Sequence, residues 1–307
     1  MRLDNSVSMH EHQHANVIAP KVGLIAGWGR YPIVVAEALH EQGCEVVCLG
    51  VEQHADPLLR EMCDAYSDIG IGKLGGAIRY FRQQGVKRAT MAGKFHKTLL
   101  MQKHWIKHLP DWRAVRTFFP HFIGMSKDRK DDTLLRAIVE AFAEDGIKFV
   151  PATEYVPEIL VKAGTMTKRQ PSRAELKDIE FGWTIAKKIG EVDIGQSVAV
   201  KGRAILAVEA IEGTDACIRR AGELCKGGGF TLVKVAKPKQ DMRFDVPTIG
   251  MGTVESLVKA GARVLAVEAD KTIFLDQAEV IDFANQHQLA IVALRCDAAS
   301  GQLREAA

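Results

Sequence analysis

The sequence has no hydrophobic run long enough to cross a membrane, no paired-cysteine motif and no internal repeat. None of its apolar runs reaches the roughly 18 residues that a membrane-spanning helix needs, and residues 1–21 lack the apolar centre of a secretory signal. The six cysteines form no C-x-x-C pair, which excludes the common zinc signatures and favours reduced thiols. These absences predict a globular cytoplasmic protein.

The length of the chain favours two domains. Its 307 residues exceed the size at which a single core usually stops growing. Between Pro151 and Glu175 the pattern loosens around three prolines, so we place the junction there. We expect a flexible tail over 1–21, an N-terminal domain over 22–150, a linker over 151–175, a C-terminal catalytic domain over 176–297 and a tail over 298–307.

Strand and helix patterns alternate along both halves. The apolar run KVGLIAG is typical of a buried parallel strand, and it is followed by a helical pattern, YPIVVAEALHEQG, and a second strand, CEVVCLGV. Further on, DDTLLRAIVEAFAEDG has the signals of both helix ends. In the second half, SVAVKG and AILAVEA flank a Lys-Gly-Arg turn. The order predicts an α/β protein with an N-terminal Rossmann-like parallel sheet and a C-terminal α/β domain.

A glycine turn, AGWGRYP, follows the first strand. Glycines at such a turn let backbone N–H groups approach a phosphate, and Arg30 could act as its counterion. Pro32 replaces the third glycine of a dinucleotide fingerprint, so a nicotinamide site, a phosphate-tolerant turn and a purely structural turn all stay open. A second strand end, MAGK, places Lys94 where open α/β sheets bind ligands.

Positive charge is concentrated between Lys94 and Lys130. This basic window has nine lysines and arginines against two acids, whereas the whole chain has a net charge of only +3. Six tryptophans and phenylalanines lie among them. Such a surface can face nucleic acid, anionic lipid or an anionic substrate, or it can be an ordinary solvated helix. Since no nucleic-acid motif accompanies it, we predict contact with membrane or substrate and no nucleic-acid partner.

Acidic and basic residues alternate at two loops of the second half. The segment VEAIEGTDACIRRAG contains Glu212 and Asp215 near a helix start, where Thr214 or Asp215 could act as the cap. The segment KPKQDMRFDVPTIG contains Asp241 and Asp245 beside lysines and an arginine, with a proline near each end. Carboxylates can hold Mg²⁺ together with phosphate oxygens, while cations neutralise the remaining phosphate charge. The residues alone therefore predict a metal-assisted phosphate-ester or pyrophosphate enzyme.

Several long segments resemble one bacterial enzyme family. VDIGQSVAV, AVEAIEGTDACIRRAG, KGGGFTLVKVAKPKQDMRFDVPTIG and AVEADKTIFLD are similar to the UDP-2,3-diacylglucosamine pyrophosphatases of lipid A synthesis, in the form unrelated to calcineurin-like metallophosphoesterases. GLIAGWGRYP, MAGK and KDDTLLRAI resemble its N-terminal half. The resemblance implies Mg²⁺-dependent hydrolysis, with Mn²⁺ as a substitute, by water attack on the α-phosphorus. It also implies that two α/β domains enclose the substrate.

The resemblance places the important aspartate in the Q-D-x-R-F-D motif, so Asp241 is the first candidate and Asp245 the second. The complete set of predicted catalytic residues is Asp241, Asp245, Asp215, Lys237 and Arg243. The predicted substrate-binding residues are Gly29, Arg30, Lys94, Asp132, Gly213, Thr214 and Gln240. The predicted metal ligands are Asp241, Asp245, Glu212 and Asp215.

The implied partners are a lipid-linked UDP-sugar and the inner face of the inner membrane, where the protein would be peripheral; a homodimer stays open. Two other functions also stay open at this point. One is a nicotinamide-dependent oxidoreductase built on the first glycine turn. The other is a noncatalytic lipid or nucleotide carrier, which would bind substrate without releasing UMP.

Overall fold

The N-terminal half of the computed structural model is a parallel sheet with helices on both faces. The structure describes residues 19–94, 108–123, 131–297 and 302–304. The strands in this half are β1 (Lys21–Ala26), β2 (Glu45–Val51), β3 (Ala65–Ile69), β4 (Arg88–Ala92) and β5 (Lys148–Phe149). The helices are α1 (Tyr31–Glu41), α2 (Leu59–Met62), α3 (Leu74–Gln83), α4 (Trp112–Ile123) and α5 (Asp131–Glu144).

The strand order of this sheet is β3-β2-β1-β4-β5, and every neighbouring pair is parallel. The order reverses beside β1, because β2 lies on one side of it and β4 on the other. Ligands of open α/β sheets bind at such a reversal, outside the carboxyl ends of the strands. Gly23 on β1 allows α3 to pack closely against the sheet, since a Cβ at this position would lie 2.8 Å from the Phe81 ring on α3.

The C-terminal half forms a separate mixed sheet. Its strands are β6 (Gly164–Thr165), β7 (Ser197–Lys201), β8 (Ala204–Val208), β9 (Thr231–Lys234), β11 (Val264–Glu268), β13 (Ala290–Cys296) and β14 (Leu303–Arg304). A small parallel pair, β10 (Thr248–Ile249) and β12 (Ile273–Phe274), lies apart from it. The helices are α6 (Arg173–Glu191), α7 (Thr214–Leu224), α8 (Met251–Lys259) and α9 (Gln277–Gln286). Two short 3₁₀ turns, Ala152–Glu154 and Pro157–Ile159, connect the halves.

The mixed sheet combines a parallel centre with a hairpin at one edge. Within the described residues the order is β14-β13-β11-β9-β7-β8, and β6 pairs with β13. Strands β9, β11 and β13 are parallel, whereas β7 is antiparallel to both β8 and β9. At the β7–β8 turn, Gly202 and Arg203 have φ values of 58° and 60°, and their N–H groups donate to the Asp178 carboxylate over 2.9 and 2.6 Å.

The central strands of each sheet are buried on both faces, and Phe244 of the C-terminal half packs into the N-terminal half. Phe244, in the loop between β9 and β10, is only 5% exposed and packs into the cluster formed by β4, α3, α4 and α5 of the N-terminal half. The long loop of the C-terminal half is therefore anchored in the N-terminal core. This contact places residues 237–250 beside α5.

The predicted fold class is confirmed: the protein is α/β, with an N-terminal parallel sheet and a second α/β unit. The predicted helix at DDTLLRAIVEAFAEDG is α5, and the predicted turn between SVAVKG and AILAVEA is the β7–β8 hairpin. Strand β3 was not predicted, because its sequence AYSDI has a mixed, half-exposed pattern. The proposed domain boundaries stay predictions.

Candidate active site

Two loops at the reversal point of the N-terminal sheet are held together. Trp28, after β1, and Lys94, after β4, exchange backbone hydrogen bonds of 2.9 Å in both directions, and the Lys94 ammonium lies 5.7 Å from the Trp28 ring centre. Gly93 permits this approach, because a Cβ there would lie 2.8 Å from the Gly27 carbonyl carbon. The predicted residues Gly29 and Lys94 therefore lie at neighbouring strand ends.

Arg30 points across to the other half of the chain. Its Nε donates to Asp276 Oδ1 over 2.8 Å, and this carboxylate raises the pKa of Arg30. Asp276 precedes α9, so the pair joins the two halves at the surface. A phosphate contact by Arg30 would use its other guanidinium N–H groups or exchange this carboxylate for a substrate oxygen.

Asp241 is bonded to Arg243 in a two-pronged ion pair. Arg243 Nη2 lies 2.6 Å from Asp241 Oδ2 and Nε lies 2.9 Å from Oδ1, while the Arg243 backbone N–H donates to Oδ1 over 3.1 Å. The guanidinium bonds, more than any other contact, hold the pKa of Asp241 below its ordinary value. Arg136 on α5 acts in the same direction. The Asp241 carboxylate is therefore negatively charged throughout the neutral pH range.

The remaining predicted residues of this loop brace its backbone. Lys237 Nζ lies 2.7 Å from an Asp193 oxygen and 3.1 Å from an Asp245 oxygen, and Gln240 Nε2 donates to the Asp245 carbonyl over 2.8 Å. Asp245 has a left-handed backbone, with φ of 57°. These contacts favour a structural role for Lys237 and Gln240 in holding the loop in shape.

A buried polar cluster lies where β9 ends and α7 begins. Lys234 Nζ donates to Thr214 Oγ1 over 3.2 Å and to the Thr248 carbonyl over 3.1 Å, and Thr214 Oγ1 donates to Glu209 Oε1 over 2.7 Å. Burial lowers the pKa of Lys234, and the Lys94 ammonium lowers it further. Glu209, Asp215 and Asp245 act in the opposite direction. The charges of both halves thus meet around Lys234.

Lys234 was missed by the sequence analysis, although one signal was available. It is the lysine within the otherwise apolar strand run FTLVKVA, and a cation in such a run is expensive to bury unless it has partners. Glu209, the first acid of the segment VEAIEGTDACIRRAG, was not among the predicted site residues. Its Oε2 atom is buried and has no hydrogen-bond partner among the described residues.

The prediction that Thr214 or Asp215 caps α7 is wrong, because the helix already begins at Thr214 and both residues belong to it. Gly213 precedes the helix with φ of 82° and provides no side-chain cap, while Thr214 and Asp215 lie in the first turn. Backbone N–H groups at such a terminus favour a phosphate ligand. Thr214 itself is part of the Lys234 cluster, so this end of α7 adjoins the buried charges.

The four predicted metal ligands do not form a closed metal site. Within the described residues, no group of three or more histidines, cysteines or acids could hold a metal ion. Glu212 is paired with Arg220 at 2.9 Å, and Asp241 and Asp245 have the cationic partners given above. The donor set fits Mg²⁺ only where the substrate's phosphate oxygens supply most of the ligands, which is a common arrangement for this ion.

Two predicted features lie partly or wholly outside the described residues. The Asp132 side chain is one of them, since only the backbone of the first residues of α5 is described. Most lysines of the basic window are the other, including Lys103 and Lys107. In the described part of the chain, no helix has both the length and the apolar character needed to span a membrane.

Comparison with known proteins identifies matches over both halves. A model of the LpxI N-terminal domain matches residues 21–159, and a model of the LpxI C-terminal domain matches residues 162–292. The UDP-2,3-diacylglucosamine pyrophosphatase LpxI of Caulobacter vibrioides is 31% identical over 281 residues, which cover 89% of this chain and 96% of that protein.

Proposed function

The chain belongs to the LpxI family, and from that premise we propose that it hydrolyses the pyrophosphate of UDP-2,3-diacylglucosamine to UMP and 2,3-diacylglucosamine 1-phosphate in lipid A biosynthesis. The observation that carries this proposal is the match to a pyrophosphatase of that substrate along nearly its whole length. The nicotinamide oxidoreductase and the noncatalytic carrier receive no support from these matches.

The proposed reaction transfers the uridyl α-phosphoryl group to water. A water oxygen bonds to the α-phosphorus, the bond from that phosphorus to the bridging oxygen breaks, and the sugar 1-phosphate leaves. Because the α-phosphoryl oxygens gain negative charge in the transition state, cations near them lower the barrier. Lys94 of the N-terminal half and Lys234 of the C-terminal half are our candidates for these cations, because the charge of Lys94 is close enough to lower the pKa of Lys234.

In this scheme Asp241 is better suited to orienting the attacking water or holding a cation than to accepting a proton. With its pKa below the ordinary carboxyl range, it is a weak acceptor for a proton from water at neutral pH. It can instead orient the attacking water or ligate a cation while remaining charged. When bound, Mg²⁺ would supply a Lewis acid for the phosphate oxygens, and Asp241 and Asp245 are our candidates to hold it.

We also propose that the protein acts at the surface of the inner membrane. Its substrate has two acyl chains, which partition into a bilayer because each buried CH₂ contributes about 0.8 kcal/mol.

The experiment that tests the proposed function is incubation with UDP-2,3-diacylglucosamine and Mg²⁺ in ¹⁸O-water, followed by mass analysis of both products. We expect one ¹⁸O atom in UMP and none in the sugar phosphate. Label in the sugar phosphate would move the attack to the β-phosphorus. Binding of substrate with no release of UMP would instead indicate a carrier.

We predict that Lys234→Met lowers kcat at least about tenfold, a barrier increase of about 1.4 kcal/mol. The substitution removes a cation from the buried cluster and releases Thr214 and Thr248 from each other. Steady-state kinetics together with melting temperature provide the measurement. Lys271→Met is the matched control, since Lys271 pairs with Glu268 in a different network. A lowered melting temperature with near-normal kcat would make Lys234 structural only.

A further inference from the structure

Helix α4 has apolar side chains on a buried face and also on a neighbouring exposed face. Ala114 is buried and Phe118 is half-buried against the N-terminal core. On the neighbouring face, Trp112, Val115 and Phe119 follow one another at helical spacing and are 81%, 37% and 55% exposed. A surface helix normally has a polar outer face, because only its inner stripe is buried. We refer to Trp112, Val115 and Phe119 as the outer face of α4.

The outer face belongs to a helix that is firmly held at its start. Asp111 caps α4, since its Oδ1 accepts from Ala114 N over 2.9 Å and its Oδ2 accepts from Gly76 N of α3 over 3.0 Å. Arg113 reaches the end of α5, where its Nη2 lies 2.9 Å from Asp145 Oδ2. The exposed aromatic rings are therefore presented on a fixed support, as an insertion into an apolar medium requires.

Positive charge borders the outer face. Arg116 is exposed on α4 itself, and a cavity of about 540 Å³ between α3 and α4 is lined by Arg79, Arg82 and Arg113. Asp145 also lines this cavity and bonds two of the arginines, which leaves a net positive lining. Arginine guanidinium groups bind phosphate oxygens well. The surface thus combines exposed aromatic rings with arginine side chains and a net positive charge.

We propose that the outer face of α4 docks on an anionic phospholipid bilayer, with Trp112 and Phe119 inserted at the headgroup level and Arg79 and Arg116 contacting lipid phosphates. Tryptophan beside basic residues is typical of helices that lie in the membrane interface. A surface for a second copy of this chain would not need the net positive charge of this border. The expectation that the protein meets a membrane rests on the proposed function, whereas the docking itself needs no catalysis.

The experiment is flotation of the full-length protein with vesicles of equal parts phosphatidylglycerol and phosphatidylcholine, compared with vesicles of phosphatidylcholine alone. We expect binding to the anionic vesicles, with a blue shift of tryptophan fluorescence that Trp112→Ser removes. The pairs Trp112→Ser/Phe119→Ser and Arg79→Glu/Arg116→Glu should each weaken binding by at least about tenfold.

One matched control is Leu224→Ser, which removes an apolar side chain that is 64% exposed on α7. The other is Arg203→Glu/Lys259→Glu, which makes the same charge change at exposed positions of the C-terminal half, away from α4. Both controls should bind like the wild type. Failure of the wild type to float, or wild-type binding by both outer-face pairs, would overturn the proposal. The proposal would also be overturned if the wild type sediments as a dimer, and if the outer-face double variants are monomeric but float like the wild type.

Hydrolysis of detergent-dispersed substrate separates this proposal from the proposed function. The outer-face variants should retain wild-type kcat there, because they touch none of the candidate active-site residues. A wild type that floats but releases no UMP would refute the hydrolase and leave the docking intact. A wild type that hydrolyses substrate but never floats would refute the docking and leave the hydrolase intact.

Discussion

Asp241→Ala is expected to lower kcat by roughly 10²-fold or more, a barrier increase of about 3 kcal/mol, with little change in substrate binding. The Asp241 carboxylate is charged, and Pro238 and Pro247 restrict the backbone near both ends of its loop. An interaction that acts mostly in the transition state affects kcat more than binding. Removal of the carboxylate also frees the Arg243 guanidinium, which can then attract substrate phosphate and offset any loss of affinity.

A structural role for Asp241 predicts a different pattern. If the residue only stiffens the loop, its loss costs about 1 kcal/mol of stability and little rate. Asp193→Ala is the matched control, because Asp193 braces the same loop through Lys237. Similar kcat values for the two variants, with both melting temperatures reduced, would defeat the catalytic assignment. Asp245 or Asp215 would then become the better candidate.

Removal of divalent cations with a chelator is expected to abolish turnover, and Mg²⁺ or Mn²⁺ should restore it. The physical reason is the two negative charges of the pyrophosphate, because the acids around Lys234 already offset much of the positive charge of Lys94 and Lys234. Since the described acids form no closed site, we expect Mg²⁺ to bind weakly to the free protein and more tightly with UMP present.

Calorimetric titration with Mg²⁺ alone and with Mg²⁺ plus UMP measures this difference. Mg²⁺ titrated into UMP without protein is the control, because the nucleotide itself binds the ion. Full activity in metal-free buffer would remove the metal from the mechanism. Equally tight binding of Mg²⁺ with and without UMP would point instead to a site made by the protein alone.

Sequence patterns were informative wherever the relevant contacts are local. The strand KVGLIA, helix α5 and the β7–β8 turn each follow from spacing, capping signals or turn residues within a short window. The loop with Asp241 also stood out, because its charges and prolines are close together in the chain. Local chemistry is therefore enough to propose both loops as parts of a candidate site.

Contacts between distant parts of the chain were not predictable in the same way. Arg30 was expected to face a phosphate but bonds to Asp276, 246 positions away. Asp241 stays a predicted metal ligand, but its ion pair with Arg243 depends on the conformation of the loop, which the sequence does not report. Lys234 is informative only once strand β9 is known to be buried, because solvent would otherwise surround its ammonium group. Each case depends on packing that periodicity does not report.

Phe244 makes the loop with Asp241 a latch between the two halves. If they part while the loop stays with the C-terminal sheet, this ring must leave the N-terminal core and enter water, which costs about 1.5–3 kcal/mol. That cost alone holds such an unlatched form to roughly a tenth to a hundredth of the molecules. Separation of the two halves and displacement of Asp241 from the N-terminal half are then one event. A substrate that enters through this form therefore meets an incomplete active site until Phe244 returns to the N-terminal core.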